Sequence, residues 1–381
     1  MRKGWEYKKL GEVATYINGY AFKPDQWKES GTPIIRIQNL NNPNAPYNYF
    51  DGEVPEKVKI QNGDLLISWS ASLGAYIWNG GKAFLNQHIF KVAFNKTDID
   101  KFFLKYAVTS KLAAMAEQVH GATMKHIVKK DFDNTQIPYP PLSTQLAIVS
   151  ELDKINELIR LKKEQLKDFD NLAQSLFYEM FGDPVENEKG WEVKKLGEIC
   201  TDITDGDHMP PPKSEFGIPF ITISDIDKDT RCLNFENTFY VPEDYYNNLK
   251  ENRKPQKGDL LYTVTGTYGI PVIVKTNKKF CFQRHIALLR PNKEILSTIF
   301  LCYWVLSDGV KFMADKVATG IAQKTVGLNS IRKFSCILPP LPLQQLFAQR
   351  IEQIEREKSE VQKSIQDLET LLASRMQYWF E

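Results

Sequence analysis

The sequence predicts a mixed α/β (α+β) fold: two similar globules separated by two long antiparallel coiled-coil helices, in a pseudo-twofold circular arrangement. Three observations predict it. The chain is written twice. Each half opens with short β-branched runs broken by Gly, Asn, Asp and Pro, the pattern of strands and loops. Each half then closes on a long stretch without Pro or Gly that carries a regular apolar seam.

The duplication is read from ordered matches. Trp5-Glu6-Tyr7-Lys8-Lys9-Leu10-Gly11-Glu12 recurs as Trp191-Glu192-Val193-Lys194-Lys195-Leu196-Gly197-Glu198, a shift of 186. Gly31-Thr32-Pro33-Ile34-Ile35 recurs as Gly217-Ile218-Pro219-Phe220-Ile221, and Gly63-Asp64-Leu65-Leu66 as Gly258-Asp259-Leu260-Leu261. Gln87-His88-Ile89, Phe103-Leu104-Lys105-Tyr106 and Pro140-Pro141-Leu142 return as Arg284-His285-Ile286, Phe300-Leu301-Cys302-Tyr303 and Pro339-Pro340-Leu341. The shift drifts only to 199, so insertions are few. The domains are therefore a first globule over 1–142, a helix over 143–182, a second globule over 183–341 and a helix over 342–381.

Within the globules, Pro33–Ile37, Asp64–Trp69, Ile218–Ile223 and Asp259–Val264 read as strands. The pattern turns helical between Asp98 and Gln118 and between Leu296 and Val317. After each Pro-Pro-Leu, apolar residues step by four and three. The first seam is Ile148, Leu152, Ile155, Ile159, Leu166 and Phe169, continuing to Met180; the second is Phe347, Ile351, Ile354, Val361, Ile365 and Leu368, continuing to Trp379. A period of 3.5 held over several heptads is a coiled-coil signal, and two matched seams in one chain can zip together. If they do so antiparallel, the C-terminus falls beside the N-terminus, and the order is globule, helix, globule, helix.

Composition sets outer limits. The 381 residues are 42% hydrophobic and 25% charged, ordinary for a globular chain, with no apolar run long enough for a membrane span and no signal-like start. A cytoplasmic location is expected. Five cysteines without a CxxC read as reduced thiols, not as a metal site or a disulfide frame. Net charge is +2, with +5 over 1–142, +1 over 183–341 and −2 on each helical stretch, so any surface for a polyanion must come from patterning.

Two similar globules joined by helices suit a ligand with two spaced sites, and DNA grooves repeat every roughly 34 Å. Here the sequence resembles the specificity subunit of type I restriction-modification systems. The carriers are the paired Trp-x-x-Lys-Lys-Leu-Gly-Glu openings, the paired Gly-Asp-Leu-Leu segments, the Pro-Pro-Leu-to-helix transitions, the Phe181-Gly182-Asp183-Pro184 link and the circular repeat. The resemblance covers essentially the whole chain. It implies two target recognition domains, each reading half of a split asymmetric site in double-stranded DNA. It implies helices that act as spacer and as docking surface for two modification (methyltransferase) subunits, joined by restriction/translocase subunits for defence against foreign DNA. S-adenosylmethionine, ATP and Mg2+ are then expected in the partner subunits and no cofactor in this chain. The sequence agrees by omission: it has no Asn/Asp-Pro-Pro-Tyr/Phe motif, no Gly-rich loop for S-adenosylmethionine and no phosphate-binding Gly-x-x-x-x-Gly-Lys-Ser/Thr loop. Pro24-Asp25 with Glu29 lacks the Glu-x-Lys of a nuclease core. A non-catalytic subunit is therefore expected; the alternatives are a duplicated coiled-coil scaffold and a stand-alone restriction or modification enzyme.

Base edges take Arg, Lys, Asn, Gln, Ser and Thr, and phosphates take Lys, Arg and backbone amides. Three loop pairs carry such residues. Arg36, Gln38 and Asn39 match Thr222, Ser224 and Asp225 at a strand exit, which could equally be a polar strand edge. Ser70 and Ser72 match Thr265 and Thr267 with Tyr268, in what could be an ordinary hairpin turn. Thr123 and Lys125 match Gln323, Lys324 and Thr325 in a loop that could simply be solvated. Asp205, Gly206 and His208 form a further candidate seen only in the second copy. The recurrence of His88 as His285 suggests packing, and Trp69, Trp78 and Trp304 read as core. No residue is assigned a catalytic or metal-binding role.

Overall fold

The computed structural model describes residues 4–42, 44–118, 127–207, 211–320 and 323–381. It separates into two compact units: Met1–Lys163 with Lys363–Glu381, and Glu164–Gln362. Each unit holds one copy of the repeat, one part of the first long helix (Leu142–Phe181) and one part of the last (Leu341–Phe380).

The copies share a frame. In the first unit, a four-stranded antiparallel sheet runs in the order Thr15–Asn18, Ile89–Ala93, Leu65–Ser68, Gly74–Ile77. In the second, the order is Cys200–Asp205, Ile286–Pro291, Leu260–Thr263, Pro271–Ile273. A second sheet sets Thr32–Ile35 antiparallel to Asn48–Phe50 and parallel to Ala83–Leu85; its counterpart sets Ile218–Ile221 against Phe239–Val241 and Cys281–Phe282 in the same senses. Among the described residues, the hairpin Ile226–Asp227 with Cys232–Leu233 occurs only in the second unit. The segment that holds it adds five residues to the repeat, raising the shift from 186 at Thr32/Ile218 to 191 at Phe50/Val241.

The repeated motifs are explained by what their polar atoms do. The Glu of Lys-Lys-Leu-Gly-Glu turns back to cap its own helical turn: Lys9 N donates to Glu12 Oε2 at 2.9 Å, and Lys195 N to Glu198 Oε2 at 2.8 Å. The Asp of Gly-Asp-Leu-Leu closes the turn before its strand, accepting from Gln61 N at 2.9 Å and from Gln256 N at 2.8 Å. It also binds a cation on the neighbouring strand, Lys91 at 3.1 Å in one unit and Arg290 at 2.9 Å in the other. Behind each Pro-Pro-Leu lies a glutamine with no exposed surface. Gln145 accepts from Asp100 N at 2.8 Å and donates to the Pro140 carbonyl at 2.9 Å. Gln344 accepts from Ser297 N at 2.9 Å and donates to the carbonyls of Pro339 at 2.7 Å and Ile295 at 3.0 Å. These bonds fix the start of each long helix to its globule.

The two long helices pair antiparallel inside each unit. In the first, Glu151 binds Arg375 and accepts from Trp379 Nε1 at 3.1 Å, and Lys163 meets Glu369 at 2.7 Å. In the second, Asp170 meets Lys358 at 2.7 Å, and Phe177 and Phe181 pack on Phe347. Ile148, Leu152, Ile155 and Ile159 are buried, as are Phe347, Ile351, Ile354, Val361 and Ile365; Leu166, Phe169 and Leu368 are half-buried. At the helix ends the seam departs from the expected stepping. The fully buried residues are Phe177, Phe181 and Phe380, not Leu176, Met180 and Trp379. A straight helix drifts about 20° per heptad from a 3.5 repeat, and here the ends also face globule cores. Phe177 and Phe181 pack with Phe300, and Phe380 with Phe103.

Each globule's opening tryptophan meets the end of a long helix. Trp5 stacks on Trp379 with centroids 6.0 Å apart, and Trp191 Nε1 donates to the Phe181 carbonyl at 2.9 Å. The circular order is thus realised by matched contacts. Trp304 and Trp78 are core residues. Cys200, Cys281, Cys302 and Cys336 are buried, and desolvation pushes the first three thiols up to about 12. Among the described residues no group of His, Cys, Asp and Glu is placed to hold a metal, and no helix is long and apolar enough to cross a membrane.

Candidate nucleic-acid interface

In each unit the loops leaving one end of the two sheets are tied into one rim, and a strand-ending hydroxyl starts it. Ser68 Oγ donates to the Ser72 carbonyl at 2.6 Å, and Thr263 Oγ1 to the Thr267 carbonyl at 2.9 Å. The loop between must turn sharply, so Ala71 sits at φ +56° and Gly266, its counterpart, at φ +70°. Ser70 and Thr265 are buried, whereas Ser72 and Thr267 are exposed. Tyr268 is held by its hydroxyl to Asp315.

The turn Asn86–His88, or Gln283–His285, is the hub of this rim. Asn86 N donates to the Ile35 carbonyl at 3.1 Å, and Gln283 N to that of Ile221 at 3.0 Å, which ties the turn to the strand exits. Trp69 N donates to the His88 carbonyl at 3.4 Å, and Val264 N to that of His285 at 2.9 Å, which ties it to the hydroxyl loops. Two glycines close the remaining side. A Cβ on Gly19 would fall on the backbone of Leu85 and Asn86, and one on Gly206 on that of Phe282 and Gln283. Gly206 therefore has a backbone counterpart in Gly19, although the acidic residues on either side of it occur in the second copy alone. Asp205 and Asp207 flank it and hold Arg253 at 3.5 and 3.7 Å.

The strand exits differ from expectation. The strands stop at Ile35 and Ile221, and short helical turns follow, Ile37–Asn41 and Ile223–Asp225. Side-chain caps impose the change. Arg36 N donates to Asn39 Oδ1 at 3.0 Å, and Thr222 N to Asp225 Oδ2 at 2.7 Å. Asn39 is buried and its amide faces the Ala45 and Pro46 carbonyls, so its polar atoms serve the turn. Gln38 and Ser224 are the exposed members. Arg36 is half-buried, donates to Asn48 Oδ1 at 3.1 Å and lies over the Trp27 ring. Thr222 shares its hydroxyl with Ser224 at 2.7 Å.

The third loop joins the same rim. Val326 N donates to the Val264 carbonyl at 2.9 Å, Gly266 N to that of Lys324 at 3.0 Å, and the Thr265 and Thr325 hydroxyls lie 3.2 Å apart. Gln323 and Lys324 are exposed. In the first unit Ile127 N makes the matching bond to the Trp69 carbonyl at 3.0 Å. Thr123, Lys125 and His208 lie outside the described residues. At the hub, desolvation and the neighbouring Arg284 charge hold the His285 imidazole below its ordinary value, and Gln283 Nε2 lies 2.8 Å from its Nδ1. Sequence reasoning used Gln87 and Arg284 only to mark the repeat. Both are exposed at the tip of the hub turn. The signal that could have found them was present: an unlike pair beside an invariant histidine.

Two framed copies with unlike exposed residues at matched positions can present two different hydrogen-bonding surfaces to two stretches of one ligand. The family profile described as type I restriction modification DNA specificity domain matches residues 2–168 and 188–370. The chain belongs to the type I restriction-modification specificity subunits. As a specificity subunit it is 24% identical over 390 residues to the type I restriction enzyme EcoBI specificity subunit of Escherichia coli, covering 95% of this chain and 81% of that one. It is also 24% identical to the MjaVIII specificity subunit of Methanocaldococcus jannaschii over 408 residues, covering 97% and 92%. Among solved structures, a chain from a study of complex assembly and conformational transition of the type I restriction-modification system matches with TM-score 0.63 at 20% identity, over 99% of this chain and 97% of that one. The crystal structure of a type I S subunit from M. genitalium matches with TM-score 0.52 at 13% identity, over 100% and 98%. The two structures share the fold. Specificity subunits are non-catalytic, and their paired domains recognise DNA.

Proposed function

We propose that this specificity subunit reads a split, asymmetric site in double-stranded DNA, with one half-site per recognition domain, and docks two modification subunits together with restriction/translocase subunits. One observation carries the reading: the copies keep one backbone frame yet expose different side chains at matched rim positions, Gln38 against Ser224 and Ser72 against Thr267. Bases are told apart by such hydrogen-bonding groups in the major groove, while a shared frame keeps the docking geometry constant. The chemistry belongs to the partners in this reading. S-adenosylmethionine is held by the modification subunits, ATP and Mg2+ by the restriction subunits, and the complex works in the cytoplasm. The long helices supply the docking surface, and their length governs the spacer between half-sites.

The test is selection from random duplex DNA by the chain with and without its modification partner. Enrichment of two short elements at a constant spacing supports the reading. Methyl transfer or cleavage by the chain alone would instead mark a self-contained enzyme, and failure to retain DNA under any condition would mark a protein scaffold.

A further inference from the structure

We infer that Gln87 and Arg284, the tip residues of the two hub turns, each read a base in their own half-site. The inference rests on the proposed division of the site between the two domains and extends it to a specific pair of side chains.

Position comes first. In each unit the strand exit and the hydroxyl loop both bond to this turn, and a glycine at a neighbouring strand end lies close against its first residue. A ligand lying on the rim meets its tip. The backbone there is fixed from both sides: Ile89 N donates to the Asn86 carbonyl at 3.2 Å and Ile286 N to that of Gln283 at 3.1 Å, closing the turn. A side chain carried on so constrained a backbone is pre-aimed, which lowers the entropy lost on binding.

Chemistry follows. Arg284 is exposed, and among the described residues no carboxylate or carbonyl engages its guanidinium. Its fork matches the O6 and N7 acceptors of guanine. Gln87 is exposed, and its amide spends only one contact, 3.3 Å to the adjacent His88 ring. A glutamine amide matches the N6 donor and N7 acceptor of adenine. The histidine that follows is unchanged between copies while the tip residue changes, as two half-sites of different sequence require. Arg284 is therefore assigned a guanine in one half-site and Gln87 an adenine in the other.

The experiment maps the methylated sequence of the complex assembled with its modification partner, for the wild type and for Arg284→Ala, Arg284→Gln and Gln87→Ala. Each Arg284 variant should lose discrimination by about 10- to 100-fold at a single G·C pair in one half-site, leaving the other half-site intact as an internal control of folding. Gln87→Ala should do the same at one A·T pair in the opposite half. A uniform loss of affinity with an unchanged motif, and a salt slope reduced by about one, would make Arg284 a phosphate contact and overturn the assignment. An unchanged motif with unchanged affinity would overturn it too. If the wild-type complex shows no two-part motif at all, the half-site reading itself fails, and this assignment falls with it.

Discussion

Replacing Gln344 by Met removes the polar head of a fully buried side chain while nearly keeping its volume. The loss strands the Ser297 amide, which donates at 2.9 Å, and the Pro339 and Ile295 carbonyls, which accept at 2.7 and 3.0 Å. An orphaned group costs about 1–3 kcal/mol, with the half-buried Ser297 and Ile295 groups at the low end and the buried Pro339 carbonyl anywhere in the range, so Gln344→Met should cost about 3–5 kcal/mol. Gln145 has two such bonds, and Gln145→Met should cost about 2–4 kcal/mol on the same scale. For a unit of some 200 residues that corresponds to a fall of about 6–20 °C in the melting temperature of the second unit and somewhat less in the first. Differential scanning calorimetry reads both, because two units need not unfold as one. The exposed helix residue Gln353, changed to Ala, is the control and should move the transition by no more than about 0.5 kcal/mol. If Gln344→Met is as mild as that control, the glutamine does not lock helix to globule and the physical account of the Pro-Pro-Leu junction is wrong.

Other perturbations follow from the same contacts. Gly206→Ala and Gly19→Ala both push a methyl group into backbone, so each should destabilise its own unit and abolish recognition of one half-site, seen as a half-specific loss in methylation mapping. The Glu151 carboxyl is held below its ordinary range by its hydrogen bond to Arg375, against opposing desolvation, with Trp379 assisting. The folded state therefore binds fewer protons there than the unfolded one, and the contribution is present above the ordinary carboxylate range and lost as pH falls through the lowered value. Because the pair is partly exposed, Glu151→Gln should cost under about 1 kcal/mol at neutral pH, and urea titrations should show the difference vanishing in acid. Deleting one heptad from both long helices should change the preferred DNA spacer by roughly three base pairs, at about 1.5 Å per residue and 3.4 Å per base pair, leaving the half-site bases alone; unchanged spacing in methylation mapping would remove the helices from that role.

The duplication and the paired helices were legible because they are long-range regularities that no single residue can disguise. A strict order of matches survives insertions such as the 226–233 hairpin, and a seam of period 3.5 survives the polar residues that the same stepping meets at Lys162, Lys358 and Arg375. Lys358 proves to be half-buried and tied to Asp170. What stayed hidden was local and depended on where a polar atom points. Asn39 has the side chain of a base reader, but its carbonyl oxygen caps a helical turn and ends the strand two residues early. Gln145 and Gln344 look like solvent-facing helix residues, yet they are anchors. Gly19 and Gly206 are equivalent only through the backbone they approach, and their flanking residues share too little to align them. The helical stretch expected between Leu296 and Val317 is broken at Ser307, which ends one helix and begins the next. Its hydroxyl turns back to the Trp304 carbonyl at 2.7 Å, a local bond that competes with helix continuation.

The most direct measurement exchanges residues 183–341 for the corresponding domain of another specificity subunit and maps methylation by the assembled complex at single-base resolution. The account predicts that one half of the recognised sequence is replaced while the other half and the spacer stay as they were. A change in both halves, or a single contiguous motif before and after the exchange, would contradict it.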